Sequence, residues 1–170
     1  NHFLLLDCQT IKSNLVPANI SGYQLILLNT NVTHDLSTSE YNKRTQECKS
    51  ALEKINITYP EYKFLCDIPV EVIKNYKDHL HINEYKRALY ASEENERTIK
   101  AAKYLKEGEI SELGKLLYSS HQGLRDLYKV SCRELDFLVD FTLGLSQVVG
   151  ARMMGGGFGG CTINIVNENF

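Results

Sequence analysis

Apolar residues recur along this chain with two spacings, one typical of strands and one typical of helices. Apolar runs at residues 3–8 and 24–30, bounded by Asp, Asn, Gly and Pro, predict two strands buried in a sheet. Residues 15–16, just before Pro17, indicate a further short strand. A β-branched and apolar run at residues 161–166 predicts another strand near the end of the chain.

The rest of the apolar pattern has the period of a helix. Ser37 with Glu40, and Ser131 with Glu134, have the spacing of a capping box, which predicts the start of two helices. Strands, several helices and a final strand make an α+β domain. The helices are predicted over residues 37–55, 70–79, 83–106, 110–127 and 132–149.

Five glycines fall within the six positions 155–160, a segment called here the glycine loop. Packed glycines carry an entropic cost, so a glycine-rich loop between ordered elements indicates either a binding site or a close structural turn. We expect the loop to run from a helix to a strand. A dinucleotide-binding motif runs from strand to helix, so this direction excludes it despite the Gly155-x-Gly157-x-x-Gly160 spacing. A Walker A loop is excluded because no Gly-Lys-Ser/Thr follows.

Composition narrows the classes of function. The 170 residues are 43% hydrophobic and 24% charged, as in an ordinary globular domain. The net charge of -2, with no cluster of Lys and Arg, predicts no nucleic-acid partner. Apolar runs such as residues 25–28 are far shorter than the roughly 20 residues of a membrane helix, so no membrane partner is expected. Five scattered cysteines without a CxxC pair predict neither a zinc site nor a disulfide framework, and suit a reducing cytoplasm.

Four segments, in order along the chain, resemble the GHMP kinases in the form found in galactokinases. Residues 150–162, Gly-Ala-Arg-Met-Met-Gly-Gly-Gly-Phe-Gly-Gly-Cys-Thr, resemble the third motif of that family. The other matches are the strand around residues 6–8, the sugar-site loop and helix at 29–34 and 39–44, and the signature at 120–131. The resemblance covers essentially all 170 residues. It implies one domain over residues 1–170, the C-terminal part of such a kinase cut at both ends, with a small, mostly antiparallel sheet covered by helices.

The resemblance also implies an activity, namely transfer of the γ-phosphoryl group of ATP to the anomeric hydroxyl of α-D-galactose, with Mg²⁺ bound to the nucleotide. The family's serine-rich phosphate loop and the aspartate that acts as its base match no residue of this chain. We therefore assign no catalytic residue and no metal ligand here, and expect the 170 residues alone to be inactive. The implied partners are galactose, ATP and the missing N-terminal part of the same protein.

Tyr41 matches the tyrosine whose hydroxyl contacts the sugar in this family. The glycine loop is the predicted active-site wall, with Phe158 among its glycines. Met154 replaces a threonine common in relatives, so no hydroxyl role is transferred to it. The residues expected to line the active site are Gly155, Gly156, Gly157, Phe158, Gly159 and Gly160.

Four further predictions concern charged or polar residues. Arg152 is expected to pair with a structural acid more than to contact phosphate, and residues 93–97 to form a solvated helix face. His121 and Arg125, four residues apart on a helix, are expected to hold the loop that leads to Ser131. For His34 and Asp35, a sugar-ligand role and a loop-scaffold role remain equally open.

Two other functions stay open within the same family. One is a sensor that binds galactose and ATP and acts through a partner protein. The other is a kinase for N-acetylgalactosamine, whose pocket would be wider around the sugar 2-position. The segments that distinguish these functions from a galactokinase lie largely upstream of the matched residues.

Overall fold

A computed structural model of the chain describes the backbone of residues 2–33 and 37–170, and the side chains of residues 2–32 and 40–170. His34 and Asp35 lie outside the described residues. The side chain of Ser37 does too, so the first predicted capping box is not described.

Within residues 2–33 and 37–170, five strands form two antiparallel sheets. Strands β1 (His2–Asp7) and β2 (Lys12–Pro17) pair with each other, with Leu4 opposite Leu15. Strands β3 (Tyr23–Thr33), β4 (Val148–Met153) and β5 (Gly159–Asn167) form a second sheet in the order β3-β5-β4. Strand β5 is central and pairs with both neighbours. The small antiparallel sheets and the helices around them confirm the predicted α+β class.

The helices are α1 (Ser37–Ile55), α2 (Val70–Asn75), α3 (Ile82–Glu107), α4 (Ile110–Gly123) and α5 (Arg133–Thr142). Short 3-10 turns lie at Leu65–Asp67 and Lys77–His79, and a π-helical turn, Leu124–Tyr128, follows α4. In the described part of the chain, no helix is long and apolar enough to cross a membrane.

The predicted helix over residues 132–149 is wrong in its second half. Helix α5 ends at Thr142, and β4 begins at Val148. Val148 and Val149 are β-branched and fit a strand, and Gly150 then lies against the backbone of α4, where a side chain would not fit. The glycine loop therefore joins two strands of one hairpin, and the expected helix-to-strand direction is wrong.

Three smaller predictions also differ from the structure. The helix expected over 70–79 is interrupted after Asn75, and the one expected over 110–127 changes to π geometry at Leu124. The N-cap of α5 is Cys132 and not Ser131 of the predicted capping box, and the Ser131 hydroxyl donates to Asp136 Oδ1 at 2.5 Å.

The predicted burial of β1 is wrong for the described residues. Leu4 and Leu6 of β1 and Leu15 of β2 are 62%, 49% and 68% exposed. A two-stranded ribbon has no second layer of its own to bury such residues.

Buried apolar residues form one cluster among the helices and others where helices meet the three-stranded sheet. The first cluster joins α1, α2 and α3 through residues such as Ile55, Ile73 and Ala88. A second cluster lies directly beneath the glycine loop, with Phe158 packed against it. Its buried members are Tyr90, Leu124, Val130, Leu135 and Met153. This second cluster fixes the position of the loop relative to the helices.

Candidate active site

The glycine loop forms the tip of the β4–β5 hairpin. Met154 N–H donates to Cys161 O at 3.0 Å and closes the ladder below the tip. Five of the six residues from 155 to 160 have positive φ: Gly155, Gly157, Phe158, Gly159 and Gly160. Only Phe158 among them carries a side chain, and its ring is anchored in the cluster beneath the loop.

Gly157 explains why the tip needs glycine. Its φ is 88°, and a Cβ at this position would lie 2.1 Å from Val130 O. The next residue, Phe158, donates its N–H to the same Val130 oxygen at 2.7 Å. The loop is therefore seated on the backbone of Val130, and a side chain at position 157 would lift it away.

The outer side of the loop is open. A Cβ placed on Gly155, Gly156 or Gly160 would meet no atom within 4 Å. Side chains are thus not excluded there by the rest of the described chain, and the bare backbone faces free space. An anionic or sugar ligand can come close to a backbone that no side chain covers.

The end of β3 lies beside this loop. Thr30 Oγ1 donates to Gly160 O at 2.8 Å, and the β3–β5 pairing is irregular between Asn29 and Thr33. Asn31 adopts a φ of 55°, and its N–H donates to Asn29 Oδ1 at 3.0 Å. The structure therefore brings the described part of the predicted sugar-site loop against the predicted active-site wall.

Helix α1 approaches the same region through Arg44. Its Nε donates to Tyr128 O at 2.8 Å, and its Nη2 donates to Lys129 O at 3.0 Å. Lys129 adopts a φ of 58° and immediately precedes Val130, on which the loop is seated. Contacts thus lead from α1 to the glycine loop through residues 127–130, called here the anchor segment.

Tyr41 lies one turn before Arg44 on α1 and is 55% exposed. Burial raises the pKa of the Tyr128 phenol, and the nearby Cys48 thiol and Tyr41 phenol raise it further. Tyr41 thus lies one turn from the residue that binds the anchor segment, and about half of it is open to solvent. An exposed phenol beside a backbone-lined wall can offer one hydrogen bond and an apolar face to a ligand.

A pocket of about 380 Å³ lies between the end of β3 and helix α5. Sequence reasoning identified its β3 side, but missed the α5 side, where Arg133, Phe137 and Leu138 line it. These residues carry no motif, and only the fold brings α5 beside Asn29 and Thr30.

Comparisons with known proteins identify relatives of this chain. Residues 101–169 match the family model for the C-terminal part of GHMP kinases. The chain is 47% identical over 163 residues to a galactokinase of Thermotoga petrophila, covering 96% of this chain and 44% of that protein. It is 43% identical over 174 residues to a galactokinase of Thermosipho africanus, covering 99% of this chain and 46% of that protein.

Residues 101–169 carry the C-terminal domain of the GHMP kinases. The chain as a whole is similar to the C-terminal part of galactokinases and spans under half of the length of the relatives above. A crystal structure of Lactococcus lactis galactokinase complexed with galactose superposes with a TM-score of 0.93 at 36% identity, over 99% of this chain and 43% of that one. L. major mevalonate kinase, at 20% identity and a TM-score of 0.59 over 97% of this chain and 40% of that one, shares the fold.

Side chains of residues 120–131, the segment that resembles a GHMP kinase signature, contact neighbouring elements of the fold. His121 is 2% exposed, accepts the Met153 N–H on Nδ1 at 3.2 Å, and has Nε2 3.2 Å from Asp136 Oδ1. Burial lowers the pKa of His121, and the Asp136 carboxylate opposes this shift. Arg125 pairs with Asp140 at 3.1 Å. Both side chains therefore hold the elements around Ser131, as their spacing predicts.

Arg152 pairs with Glu94, as expected for a structural arginine. Its Nη1 lies 3.0 Å from Glu94 Oε1, which also accepts the Ser120 hydroxyl at 2.5 Å. Glu94 Oε2 accepts Arg97 Nε at 2.7 Å. The side chains of Glu94 and Arg97 are only 20% and 15% exposed, so the predicted solvated face is wrong for these two residues.

The five cysteines are all free, and burial raises the pKa of the Cys48 and Cys132 thiols. Raised thiol pKa values disfavour the thiolate that a nucleophilic cysteine needs. Among the residues that the structure describes, no group of three or more His, Cys, Asp or Glu could hold a metal ion.

Proposed function

We propose that the protein to which this chain belongs is a galactokinase, which transfers the γ-phosphoryl group of ATP to the anomeric hydroxyl of α-D-galactose. The observation that carries the proposal is the 47% identity to a galactokinase over 96% of this chain. The adjacency of the β3 end and the glycine loop supports it, because these are the two segments that resemble the family's sugar site and third motif.

The open outer side of the glycine loop fits the phosphates of a nucleoside triphosphate. The space that side chains of Gly155, Gly156 and Gly160 would fill is open, so phosphate oxygens can approach the loop backbone. ATP supplies the phosphoryl group. The chain's own contribution is a fixed wall that orients the phosphates and the sugar, since phosphoryl transfer depends mainly on positioning and charge stabilisation.

Mg²⁺ belongs to the proposal as the ion that accompanies the nucleotide, yet the described residues offer it no ligand cluster. We infer that residues beyond this chain and the phosphates themselves would hold the ion. No role in metal binding is proposed for any residue named above.

We further propose that residues 1–170 act as one domain of the larger kinase, in a cytoplasmic protein. The exposed leucines of β1 and β2 support contact with the rest of the polypeptide, because an apolar ribbon surface is costly in water. Five free cysteines are in keeping with a reducing compartment. In this view the 170 residues alone bind neither substrate well enough to turn over.

Expression of the complete reading frame tests the proposal. We expect equimolar ADP and galactose 1-phosphate from ATP and galactose, measured by a coupled assay and by phosphorus NMR. The 170-residue chain, purified separately, should give no steady product. Parallel assays with N-acetylgalactosamine and glucose determine the sugar class.

Two results would replace this function by another. Binding of galactose and ATP in calorimetry, without product over hours, would indicate a sensor of the same family. Faster turnover of N-acetylgalactosamine than of galactose would indicate a kinase for the acetylated sugar.

A further inference from the structure

Four successive carbonyl oxygens in the anchor segment accept hydrogen bonds from three other parts of the fold: helix α3, helix α1 and the glycine loop. Arg87 Nη1 of α3 donates to Leu127 O, and Arg44 of α1 donates to Tyr128 O and Lys129 O at 2.8 and 3.0 Å. Phe158 N–H of the glycine loop donates to Val130 O at 2.7 Å. Two arginines therefore fix three of the carbonyls, and the loop is seated on the fourth.

The two arginines are themselves held in place. Arg44 and Arg87 are 6% and 3% exposed, and the Glu47 carboxylate lies between them. Glu47 Oε2 is 2.7 Å from Arg87 Nε and 3.7 Å from Arg44 Nη1, while Glu40 Oε2 is 3.0 Å from Arg44 Nη2. Buried guanidinium groups need such partners, and once paired they have little rotational freedom.

The anchor segment requires this support because its own conformation is unfavourable. It begins inside the π-helical turn Leu124–Tyr128, and Lys129 takes a φ of 58° without being glycine. A non-glycine residue in the left-handed region is strained and persists only where surrounding contacts impose it. Arg44 donates to the carbonyl oxygen of the preceding residue, Tyr128, and to that of Lys129 itself.

We propose that Arg44 is a positioning residue for phosphoryl transfer, which acts on the glycine loop through the carbonyls of Tyr128 and Lys129. By fixing these two oxygens it sets the place of Val130 O, and Val130 O sets the place of Phe158 N and of Gly157. The proposal rests on the kinase function proposed above. Arg44 acts through the backbone and needs no contact with ATP or sugar.

Lysine cannot replace arginine in this role. Arg44 uses Nε and Nη2 to reach two different oxygens from one rigid plane, whereas a lysine ammonium is a single point of donation. Arg44→Lys should therefore keep the charge next to Glu40 and Glu47 and still lose at least one of the two carbonyl bonds.

The test uses the complete protein with three variants: Arg44→Ala, Arg44→Lys and the control Lys49→Ala. Lys49 lies on the same helix and pairs with Glu53 at 3.9 Å, but both side chains are largely exposed. Two readouts are taken, the kcat and KM values for ATP and galactose, and amide hydrogen exchange of peptides covering residues 155–160.

For Arg44→Ala we expect kcat to fall by about 10- to 100-fold, because a small displacement of the glycine loop would misplace the reacting groups. The galactose KM should change less. Exchange at residues 155–160 should become about tenfold faster, while peptides in the β5 core at 163–166 keep their protection. Millimolar guanidinium, against matched sodium chloride, should restore part of both losses in Arg44→Ala. Lys49→Ala should match the parent protein in both readouts.

The proposal is overturned if Arg44→Ala lowers the melting temperature while kcat and exchange at 155–160 stay unchanged. It is also overturned if exchange rises evenly over the whole chain. Should Arg44→Ala not fold, Arg44→Lys decides by the same two readouts. If the parent protein phosphorylates no sugar, the proposed function fails, and the exchange measurement still decides whether Arg44 holds the loop.

Discussion

Gly114 of α4 and Gly150 of β4 lie in direct backbone contact, with no room for a methyl group between them. A Cβ on Gly114 would lie 1.9 Å from Val149 O, and a Cβ on Gly150 would lie 2.4 Å from Gly114 Cα. The backbone of a helix and of a strand cannot yield easily. We therefore expect Gly114→Ala and Gly150→Ala each to lower the free energy of unfolding by about 2–3 kcal/mol, measured by urea titration.

Gly144→Ala is the matched control for this contact. A Cβ there would meet only Phe141 O at 3.8 Å, an ordinary contact. We expect no loss of stability, and a gain of up to about 1 kcal/mol through the unfolded state. Equal losses at positions 114, 150 and 144 would contradict the packing argument.

Gly157 and Gly156 should respond differently to alanine although they are neighbours. Alanine at 157 combines a left-handed φ of 88° with a contact of 2.1 Å to Val130 O, whereas alanine at 156 meets open space. We expect Gly157→Ala to lose about 2 kcal/mol or more of stability, and Gly156→Ala to stay within about 0.5 kcal/mol. Thermal unfolding of the two proteins side by side measures the difference.

Gly156→Ala is also a sensitive test of the open side of the loop. A methyl group that leaves the fold intact but occupies the space assigned to substrate should reduce kcat/KM in the complete protein. Unchanged kinetics in this variant would show that the substrate does not approach the loop at position 156.

Tyr41→Phe tests the proposed sugar contact. Because the Tyr41 side chain is 55% exposed, removal of its hydroxyl should leave the melting temperature unchanged. In the complete protein the galactose KM should rise by a hydrogen bond's worth, about 0.5–1.5 kcal/mol or roughly 2- to 12-fold. The ATP KM serves as the internal control, and an unchanged galactose KM would contradict the contact.

Glu84 predicts a specific loss of stability in acid. Burial opposes its ionisation, but hydrogen bonds from Lys54, Ser50 and the His81 N–H outweigh burial and lower the pKa of Glu84 to about 2. A lowered pKa in the folded state stabilises the fold above the ordinary carboxyl pKa, and this contribution disappears as the pH falls toward 2.

Glu84→Gln should therefore be less stable than the parent chain at pH 7 by about 2 kcal/mol, allowing for the partly exposed Lys54. The difference should shrink steadily below pH 4.5, as measured by urea titrations between pH 2.5 and 7. Glu53→Gln, which removes an exposed pair with Lys49, should show no such dependence. A difference that stayed constant with pH would contradict the assignment.

Much of the fold follows from local sequence, and the exceptions have physical causes. Helix α1 ends at Ile55, where the pattern places it, and β3 extends the predicted strand to Thr33. Helix α5 was overextended because Leu145, Val148 and Val149 continue a helical spacing by chance. The contact that ends the helical pattern, Gly150 against Gly114, joins residues 36 apart in the chain, and no local rule reports it.

The candidate site divides in the same way. The glycine loop could be found from its unusual residue types, and Tyr41 from its match to the sugar-site segment of the family. The anchor segment could not, because its π-helical turn and the left-handed Lys129 carry no composition signal. Its role becomes visible only when Arg44 and Arg87, from two other helices, are seen to bind successive carbonyls.

The hairpin that carries the glycine loop also limits how the loop can move. The tip between β4 and β5 has only the residues 154–158, and both strands are paired up to its base. So short a tip cannot swing over a bound molecule in the way that a long lid does. Any shielding of a reaction from water would then have to come from parts of the protein other than this hairpin tip.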